Sequence, residues 1–150
     1  MEIKIETASI RMLDKLFQIE EQCFDQEAFT KQQIAYLLTD YNTIALAARE
    51  NSDIAGFIIS QIEIEENKLF GHIITLNVPP KYRRKGVGSK MLKEIEDLLK
   101  QKGVTECKLE VREDNSAALK LYLKSGYRKI GKLENYYGKK HGLYLKKTLG

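Results

Sequence analysis

Two glycines and a group of basic residues follow the apolar stretch that ends at Val78. Proline cannot donate to a sheet ladder, so Pro79 and Pro80 end a predicted strand there. At Gly86 the spacing of apolar residues changes to a period of about 3.6, which predicts a helix beginning near Gly86 and Gly88. Glycine lets the backbone approach a ligand closely, and the first N–H groups of a helix have no partner within it.

This arrangement favours the binding of an anion such as a pyrophosphate, because a helix N-terminus carries about half a positive charge. The basic side chains around it are Arg83, Arg84, Lys85 and Lys90. The alternative interpretation is a glycine-containing helix start with solvated basic residues. Two other phosphate motifs are excluded: a Walker A loop needs lysine where this chain has Ser89, and a dinucleotide fingerprint needs a small residue at Met91.

Hydrophobic periodicity predicts the elements that must position this segment. The predicted strands cover residues 3–5, 43–50, 54–65, 69–78, 107–111, 127–133 and 143–149. The predicted helices cover residues 12–23, 30–38, 86–99 and 115–122, and Thr30 with Gln33 forms a capping box for the second. Strands joined by short turns are antiparallel, whereas the two later helices are crossovers that make the following pairings parallel or mixed.

Composition limits the class of protein. A chain of 150 residues with 43% hydrophobic and 31% charged residues predicts one domain, residues 1–150. No apolar run approaches the ~20 residues of a membrane span, and the start does not resemble a signal peptide, so we expect a cytoplasmic protein without a membrane partner. Cys23 and Cys107 fit neither a disulfide framework nor a metal site. The net charge of +4 suits an anionic ligand but falls short of a nucleic-acid-binding stripe.

The glycine segment also resembles a family signature. Arg83, Gly86 and Gly88 match R/Q-x-x-G-x-G/A of the GNAT family of N-acetyltransferases, and residues 74–78, 109–118 and 121–127 match the segments around it. The order of predicted elements matches that fold over essentially the whole chain. The resemblance implies a mixed α/β fold, with one mostly antiparallel sheet of about seven strands, four flanking helices and a splay between strands four and five.

The resemblance implies acetyl-CoA (coenzyme A) as the donor. The backbone of Leu76, Asn77 and Val78 would pair with the pantetheine arm like an added strand. The pyrophosphate would bind beside Arg83, on the N–H groups of Arg84, Lys85, Gly86, Val87, Gly88 and Ser89. Asn115 would hydrogen-bond the arm further along, and Tyr122 would lie beside the thioester sulfur.

Three residues are candidates for proton transfer. Acyl transfer to an amine needs a base for the amine and an acid for the leaving thiolate. Glu110 resembles the base of the family's N-terminal branch, acting through water; otherwise it is an exposed carboxylate paired with Lys108 or Arg112. His72 would share the relay or merely fill a strand position. Tyr122 is the predicted acid, and its alternative role is an aromatic residue of the core.

The predicted acceptor is the α-amine of a protein or peptide N-terminus, which would attack the thioester directly. Asn135-Tyr136-Tyr137 resembles the branch of the family that acetylates protein N-termini. The predicted acceptor-binding residues are Phe24, Gln26, Phe29, Tyr136 and Tyr137. Residues 23–29 and the sequence His141-Gly142-Leu143 depart from that branch, and both segments lie where the acceptor would bind.

Other functions remain open. An acetyltransferase of a small-molecule amine, a polyamine or an antibiotic, would explain Asp25 and Glu27 in the predicted acceptor loop. A domain that binds acyl-CoA without catalysis is disfavoured because Glu110 and Tyr122 are both present. RNA binding would need aromatic residues among the charges of an exposed sheet, so nucleic acid is not a predicted partner. The ribosome or an auxiliary subunit is left open as a further partner.

Overall fold

One sheet of seven strands is the frame of the computed structural model, which describes residues 2–150 apart from the side chain of Asp25. The strands are β1 (Lys4–Thr7), β2 (Thr43–Glu50), β3 (Asp53–Glu65), β4 (Lys68–Asn77), β5 (Glu106–Arg112), β6 (Arg128–Tyr137) and β7 (Lys140–Thr148). Their order across the sheet is β1-β2-β3-β4-β5-β7-β6. The β4–β5 pair is parallel, and the other neighbouring pairs are antiparallel.

Four α-helices cover the two faces of the sheet within residues 2–150. They are α1 (Leu13–Phe24), α2 (Lys31–Thr39), α3 (Val87–Gln101) and α4 (Ser116–Lys124). The α1–α2 pair shares a core with Ala45 and Ala47 of β2, whereas α3 shares a core with Leu46 and Ala48. Successive strand residues point to opposite faces, so these helices lie on opposite sides. Among the described residues, no helix combines the length and apolar character needed to cross a bilayer.

Local sequence signals explain the turns and helix starts. Glu66 and Asn67 have φ values of 49° and 64°, the left-handed conformations of a two-residue hairpin turn between β3 and β4. The predicted capping box is confirmed: the Gln33 N–H donates to Thr30 Oγ1 at 3.1 Å, and the Thr30 N–H donates to Gln33 Oε1 at 2.8 Å.

The central feature of the sheet is the short contact between β4 and β5. The strands pair at three positions, Phe70 with Glu106, Gly71 with Cys107 and His72 with Lys108. A bulge in β4 follows, because Ile59 faces Thr75 while Ser60 faces Ile73. Beyond His72 the strands part and leave a gap in the middle of the sheet, so the expected splay between strands four and five is confirmed.

The predicted element order and the mixed, mostly antiparallel fold are confirmed. The prediction ended β6 at residue 133 and began β7 at residue 143, which was wrong at both ends of the hairpin. Its turn is at Gly138, where φ is 70°, so Tyr137 pairs with Lys140. The extension could not be predicted because β6 is an edge strand whose residues are mostly exposed. Its sequence therefore shows little alternation of apolar and polar residues. Helix α4 also continues past Tyr122 to Lys124.

Candidate active site

A cleft of about 820 Å³ opens where β4 and β5 part. Residues from α1, the α1–α2 loop, β4, β5, α4 and β6 line it. Of the residues predicted from the sequence, the cleft brings together Phe24, Gln26, Phe29, Leu76, Glu110, Asn115, Tyr122, Tyr136 and Tyr137. The predicted acceptor-binding residues and two of the predicted proton-transfer residues therefore share one cavity.

The carboxylate of Glu110 is bound to the ring of His72 across the base of the splay. Glu110 Oε1 lies 2.7 Å from His72 Nε2. The other ring nitrogen, Nδ1, lies 2.7 Å from Glu63 Oε2 on β3. Glu63 also receives the Lys108 ammonium, whose Nζ lies 2.9 Å from Glu63 Oε1 and 2.5 Å from Glu65 Oε1. Strand pairing places His72 beside Lys108, and Glu110 follows two residues later on the same face.

Opposing effects set the pKa values in this cluster. Burial alone would lower the pKa of His72, but hydrogen bonds and negative charge from Glu110 and Glu63 outweigh it, so the pKa lies above its ordinary value. Burial would raise the pKa of Glu63, but its bonds to Lys108 and His72 hold that pKa below its ordinary value. The imidazole is therefore the group of this cluster that is suited to gain and lose a proton near neutral pH.

Tyr122 lies on the opposite side of the cleft from the sheet, on α4. It is 6% exposed and belongs to the core beneath α3, yet it also lines the cleft. Burial, with a smaller effect of the Tyr137 charge, raises its pKa. The hydroxyl therefore keeps its proton at neutral pH and can act as a donor. Core packing and a place in the cleft coexist here, so the two predicted roles of Tyr122 are compatible.

Tyr136 and Tyr137 form an aromatic wall at the end of the β6–β7 hairpin. Their rings meet edge to face with centroids 4.9 Å apart. The preceding residue, Asn135, has a left-handed φ of 53°, and its N–H donates to His141 Nδ1 at 2.9 Å. A Cβ at Gly142 would lie 3.1 Å from the Tyr137 ring and 3.3 Å from Tyr136 Cβ. The departure at His141-Gly142 thus shapes this aromatic wall.

Beneath the cleft, a buried carboxylate that the sequence analysis missed ties three elements together. Glu20 of α1 accepts hydrogen bonds from the Thr75 hydroxyl at 2.9 Å, the Asn77 amide at 3.0 Å and the Phe29 N–H at 3.1 Å. Burial raises its pKa, and the hydrogen bonds oppose this in part. The signal in the sequence is a glutamate directly after Ile19 and four residues after Leu16, on the apolar face of α1.

The predicted pyrophosphate loop lies past the end of β4 and apart from the cleft lining. Gly86 precedes α3 with a left-handed φ of 79°, and no side chain among residues 2–150 caps this helix start. The Arg83 guanidinium instead turns back to the Val78 carbonyl at 2.8 Å and to Cys23 Sγ at 3.7 Å. Lys90 donates to the Ile3 carbonyl at 2.7 Å. Arg84 and Lys85 remain exposed beside the helix N-terminus.

Several other predicted residues have local roles. The Asn115 side chain caps α4 by accepting from the Ala118 N–H at 3.2 Å. The Asn77 side chain points to Glu20, and its buried Oδ1 has no partner among the described residues. Both cysteines are free, and Cys23 lines the cleft while packing against the core between α1, α2 and the sheet. The described residues contain no group of three or more His, Cys, Asp or Glu side chains placed to hold a metal ion.

Comparison with known proteins gives matches along most of the chain. The model of the acetyltransferase (GNAT) family matches residues 10–127. The chain is 36% identical over 88 residues to the ribosomal protein bS18-alanine N-acetyltransferase of Escherichia coli K12, which is 59% of this chain and 57% of that relative's length. It is 30% identical over 117 residues to the N-alpha-acetyltransferase of Sulfurisphaera tokodaii, 72% of this chain and 70% of the relative.

A third relative acts on a different kind of amine. The chain is 30% identical over 107 residues to the spermidine N(1)-acetyltransferase of Thermoplasma acidophilum, covering 69% of this chain and 64% of the relative. The solved Escherichia coli ribosomal-protein-S18-alanine N-acetyltransferase superposes with a TM-score of 0.88 at 22% identity, over 99% of this chain and 95% of that chain. A chain of the NatC complex bound to Gag peptide and CoA gives 0.90 at 24% identity over the full length of both. At these identities the superpositions show a shared fold and nothing further.

Proposed function

Because this chain belongs to the acetyltransferase (GNAT) family, we propose that it transfers an acetyl group from acetyl-CoA to the N-terminal α-amine of a protein or peptide. The observation that carries the proposal is the cleft between β4 and β5. It combines a carboxylate bound to an imidazole, a buried tyrosine and an aromatic wall. The carboxylate and the tyrosine can serve as the base and the acid that acyl transfer to an amine uses, and the aromatic wall can contact the acceptor.

The chain's residues fit coenzyme A at two places. The α3 N-terminus begins after the left-handed Gly86, and no described side chain blocks its first N–H groups, so these can bind a pyrophosphate. The edge of β4 beyond His72 has no strand partner on the β5 side, so backbone groups of Leu76 to Val78 can pair with an extended arm. When bound, acetyl-CoA supplies an acetyl thioester, which is open to attack by a neutral amine.

In the proposed mechanism, Glu110 takes a proton from the acceptor amine and His72 supports it. An α-amine has a pKa near ~8, so only a small cost separates its charged form from the neutral nucleophile. Glu110 lines the cleft and its Oε1 is bound to His72, so a proton that reaches the carboxylate meets an imidazole within 2.7 Å. Tyr122 donates its hydroxyl proton to the sulfur as the carbon–sulfur bond breaks, and the second proton that the acylated nitrogen loses restores the hydroxyl.

Three observations favour an α-amine attached to a peptide. Phe24, Phe29, Tyr136 and Tyr137 surround the cleft and suit the side chain of a first residue. The cleft is open, so a chain can continue away from the reacting amine. Two of the similar proteins are named for acetylation of protein N-termini, at 36% and 30% identity.

A polyamine is the second candidate, favoured by the charge of the cleft. The carboxylates of Glu20, Glu21, Glu27 and Glu110 line it, against one guanidinium from Arg112. Arg112 is itself bound to both oxygens of Glu27, at 3.0 and 2.8 Å. One similar protein is named for spermidine. The side chain of Asp25, the other acidic residue behind this alternative, lies outside the described part of the chain.

A turnover screen separates the two candidates. The release of coenzyme A is measured with peptides that differ in their first residue, with the same peptides blocked at the N-terminus but carrying an internal lysine, and with spermidine. Peptides with a free, apolar first residue, methionine in particular, should be the fastest acceptors. Faster acetylation of spermidine or of the blocked peptides would overturn the proposal of an N-terminal acceptor.

A further inference from the structure

Glu63 contacts His72 from the side opposite Glu110. It stands on β3 and pairs with Phe70, so its side chain reaches the ring of His72 diagonally across the antiparallel pair. The ring is held at both ends, by Glu63 Oε2 at Nδ1 and by Glu110 Oε1 at Nε2, each at 2.7 Å. The imidazole of His72 therefore connects Glu110, which lines the cleft, to β3, which contributes no residue to the cleft lining.

Glu63, His72 and Glu110 share their protons and therefore titrate as one unit. A neutral imidazole carries one N–H and can donate to one carboxylate only. When both carboxylates are ionised, both contacts are hydrogen bonds only in the imidazolium, whereas the neutral ring keeps one of the two. The proton gained or lost belongs to the whole cluster. The carboxylate that holds its negative charge more firmly decides which nitrogen keeps its hydrogen when the ring is neutral.

Glu63 is the carboxylate that is held ionised. Lys108, only 7% exposed, places its ammonium 2.9 Å from Glu63 Oε1. By contrast, no lysine or arginine among residues 2–150 forms an ion pair with Glu110. Nδ1–H therefore stays on Glu63, and Nε2 is the atom that exchanges its proton toward the cleft.

We propose that Glu63 is the positioning residue of a three-membered base, in which the proton from the acceptor amine comes to rest on Nε2 of His72. This inference rests on the proposed function. The N–H bond of the ammonium breaks and its electron pair stays on the attacking nitrogen. Glu110 passes the proton to Nε2, and the neutral imidazole becomes an imidazolium between two carboxylates. The proton later leaves Nε2 through Glu110 to solvent in the cleft, and the ring returns to its neutral form with Nδ1–H on Glu63.

The positions of the other charged groups near His72 determine which of them should affect its pKa. Glu63 contacts it from β3, where Glu65 binds Lys108, and Lys108 and Glu110 lie beside it on β5. On β7, Lys146 lies over the rings of Phe70 and Tyr144 at 5.2 and 5.5 Å. Of these groups, Glu63 and Glu110 alone among the described residues contact the imidazole itself. Loss of the Glu63 charge should therefore lower the pKa of His72, and loss of the Glu65 charge should not.

The test compares Glu63→Gln with Glu65→Gln. Glutamine at 63 can still accept from Nδ1–H, so the ring keeps its place but loses a negative partner. NMR titration of His72 should show a pKa about one unit lower in Glu63→Gln. The acidic limb of kcat/KM should move to lower pH by the same amount, while the plateau falls by about tenfold because the base is weaker. Glu65→Gln, which loosens Lys108 without touching His72, should change neither.

Two results would overturn the inference. An unchanged titration of His72 in Glu63→Gln would remove the coupling between the two residues. A shifted titration with an unshifted acidic limb would show that His72 does not hold the proton during turnover. The NMR titration needs no acceptor, and the rate profile can use whichever amine is turned over, so failure of peptide acetylation in the wild type counts against the proposed function alone.

Discussion

At the scale of single residues, Glu110 differs from its charged neighbours in the partner it has. Lys108 is bound to Glu63 and Glu65, and Arg112 to Glu27 and Asp114. Glu110 is bound to His72, a partner that can be neutral. A carboxylate beside a permanent cation is a weaker base, because the cation stabilises the ionised form. The same alternation of charged residues along β5 therefore yields two cations held in structural ion pairs and one group suited to proton transfer.

Glu110→Gln should lower kcat/KM by at least about 10²-fold, because the group nearest the acceptor is lost. His72→Phe should cost less, since Glu110 can still give its proton to water. If both act in one relay, the double variant should be little worse than Glu110→Gln. Steady-state kinetics of the three variants checks this. Fully additive losses, or near-wild-type turnover of Glu110→Gln, would contradict the shared relay.

Tyr122→Phe should keep the binding of acetyl-CoA and lower kcat by roughly 10²-fold, because only the proton donor is removed. Tyr127→Phe is a matched control: its ring meets that of Tyr122 at 5.7 Å, but its hydroxyl donates to Glu96 and does not reach the cleft. The control should lose stability and keep its kcat. Equal kcat values for Tyr122→Phe and the wild type would assign Tyr122 to packing alone.

The site residues that could be predicted lie in segments whose neighbouring residues carry a family signature. The residues that tertiary contacts alone bring to the site could not be predicted. Glu110 and Tyr122 could be predicted because they lie in segments that resemble the family. Glu63 lies outside those segments. Its contact with His72 depends on the β3–β4 register, which the turn at Glu66 and Asn67 sets. Glu20 was missed because its partners are 9, 55 and 57 residues away.

At the scale of elements, Glu20 connects the donor and acceptor sides of the cleft. It joins α1 to β4 through Thr75 and Asn77, and to the segment before α2 through Phe29. β4 carries the backbone proposed to hold the pantetheine arm, and Phe29 lines the acceptor region. A buried carboxylate that accepts several hydrogen bonds holds the connected elements rigidly, because the loss of any of these bonds costs folding free energy. It can therefore fix the distance between the two substrates.

Glu20→Gln should raise the melting temperature at pH 7, because a buried charge is replaced by a neutral amide of nearly the same size. The advantage should shrink as the pH falls. The pKa of Glu20 is raised in the folded state, so the wild type takes up a proton before its unfolded chain does and gains stability on acidification. Melting curves of both proteins between about pH 7 and pH 5 check this.

Glu21→Gln is the matched control for Glu20→Gln, since it changes an exposed neighbour on the same helix. It should leave the pH dependence of the melting temperature unchanged. A difference between Glu20→Gln and the wild type that stays constant with pH would mean that Glu20 does not titrate in this range.

Element boundaries were predictable where turns and apolar alternation coincide. The bounds of β2 agree with the prediction because one face of this strand is covered by α1 and α2 and the other by α3. The β6–β7 hairpin was predicted too short because β6 has one strand neighbour and mostly exposed residues. The aromatic wall therefore lies within the hairpin, where Tyr137 pairs with Lys140.

At the scale of the whole molecule, the splay brings two binding regions to one gap. The α3 N-terminus and the free edge of β4 offer backbone groups to an anionic, extended donor. The α1–α2 loop and the β6–β7 hairpin offer aromatic and acidic side chains to an amine. Glu110 and Tyr122, the groups proposed to transfer protons, line the cleft in the same gap. Substitutions at the N-terminus of α3 should therefore weaken the binding of acetyl-CoA without altering the groups proposed to react with the acceptor.

Acetyl-CoA should raise the melting temperature, because a ligand that binds only the folded state stabilises it by mass action. At about 100 times Kd the gain is about 2.7 kcal/mol, which corresponds to a rise of roughly 5–10 °C for a chain of this size. Gly88→Glu should abolish the shift by adding a negative charge at the proposed pyrophosphate site. Gly88→Ala controls for crowding, since its Cβ would lie 3.2 Å from Leu121 Cδ2, the end of a flexible side chain. An undiminished shift in Gly88→Glu, measured by differential scanning fluorimetry, would place the pyrophosphate elsewhere.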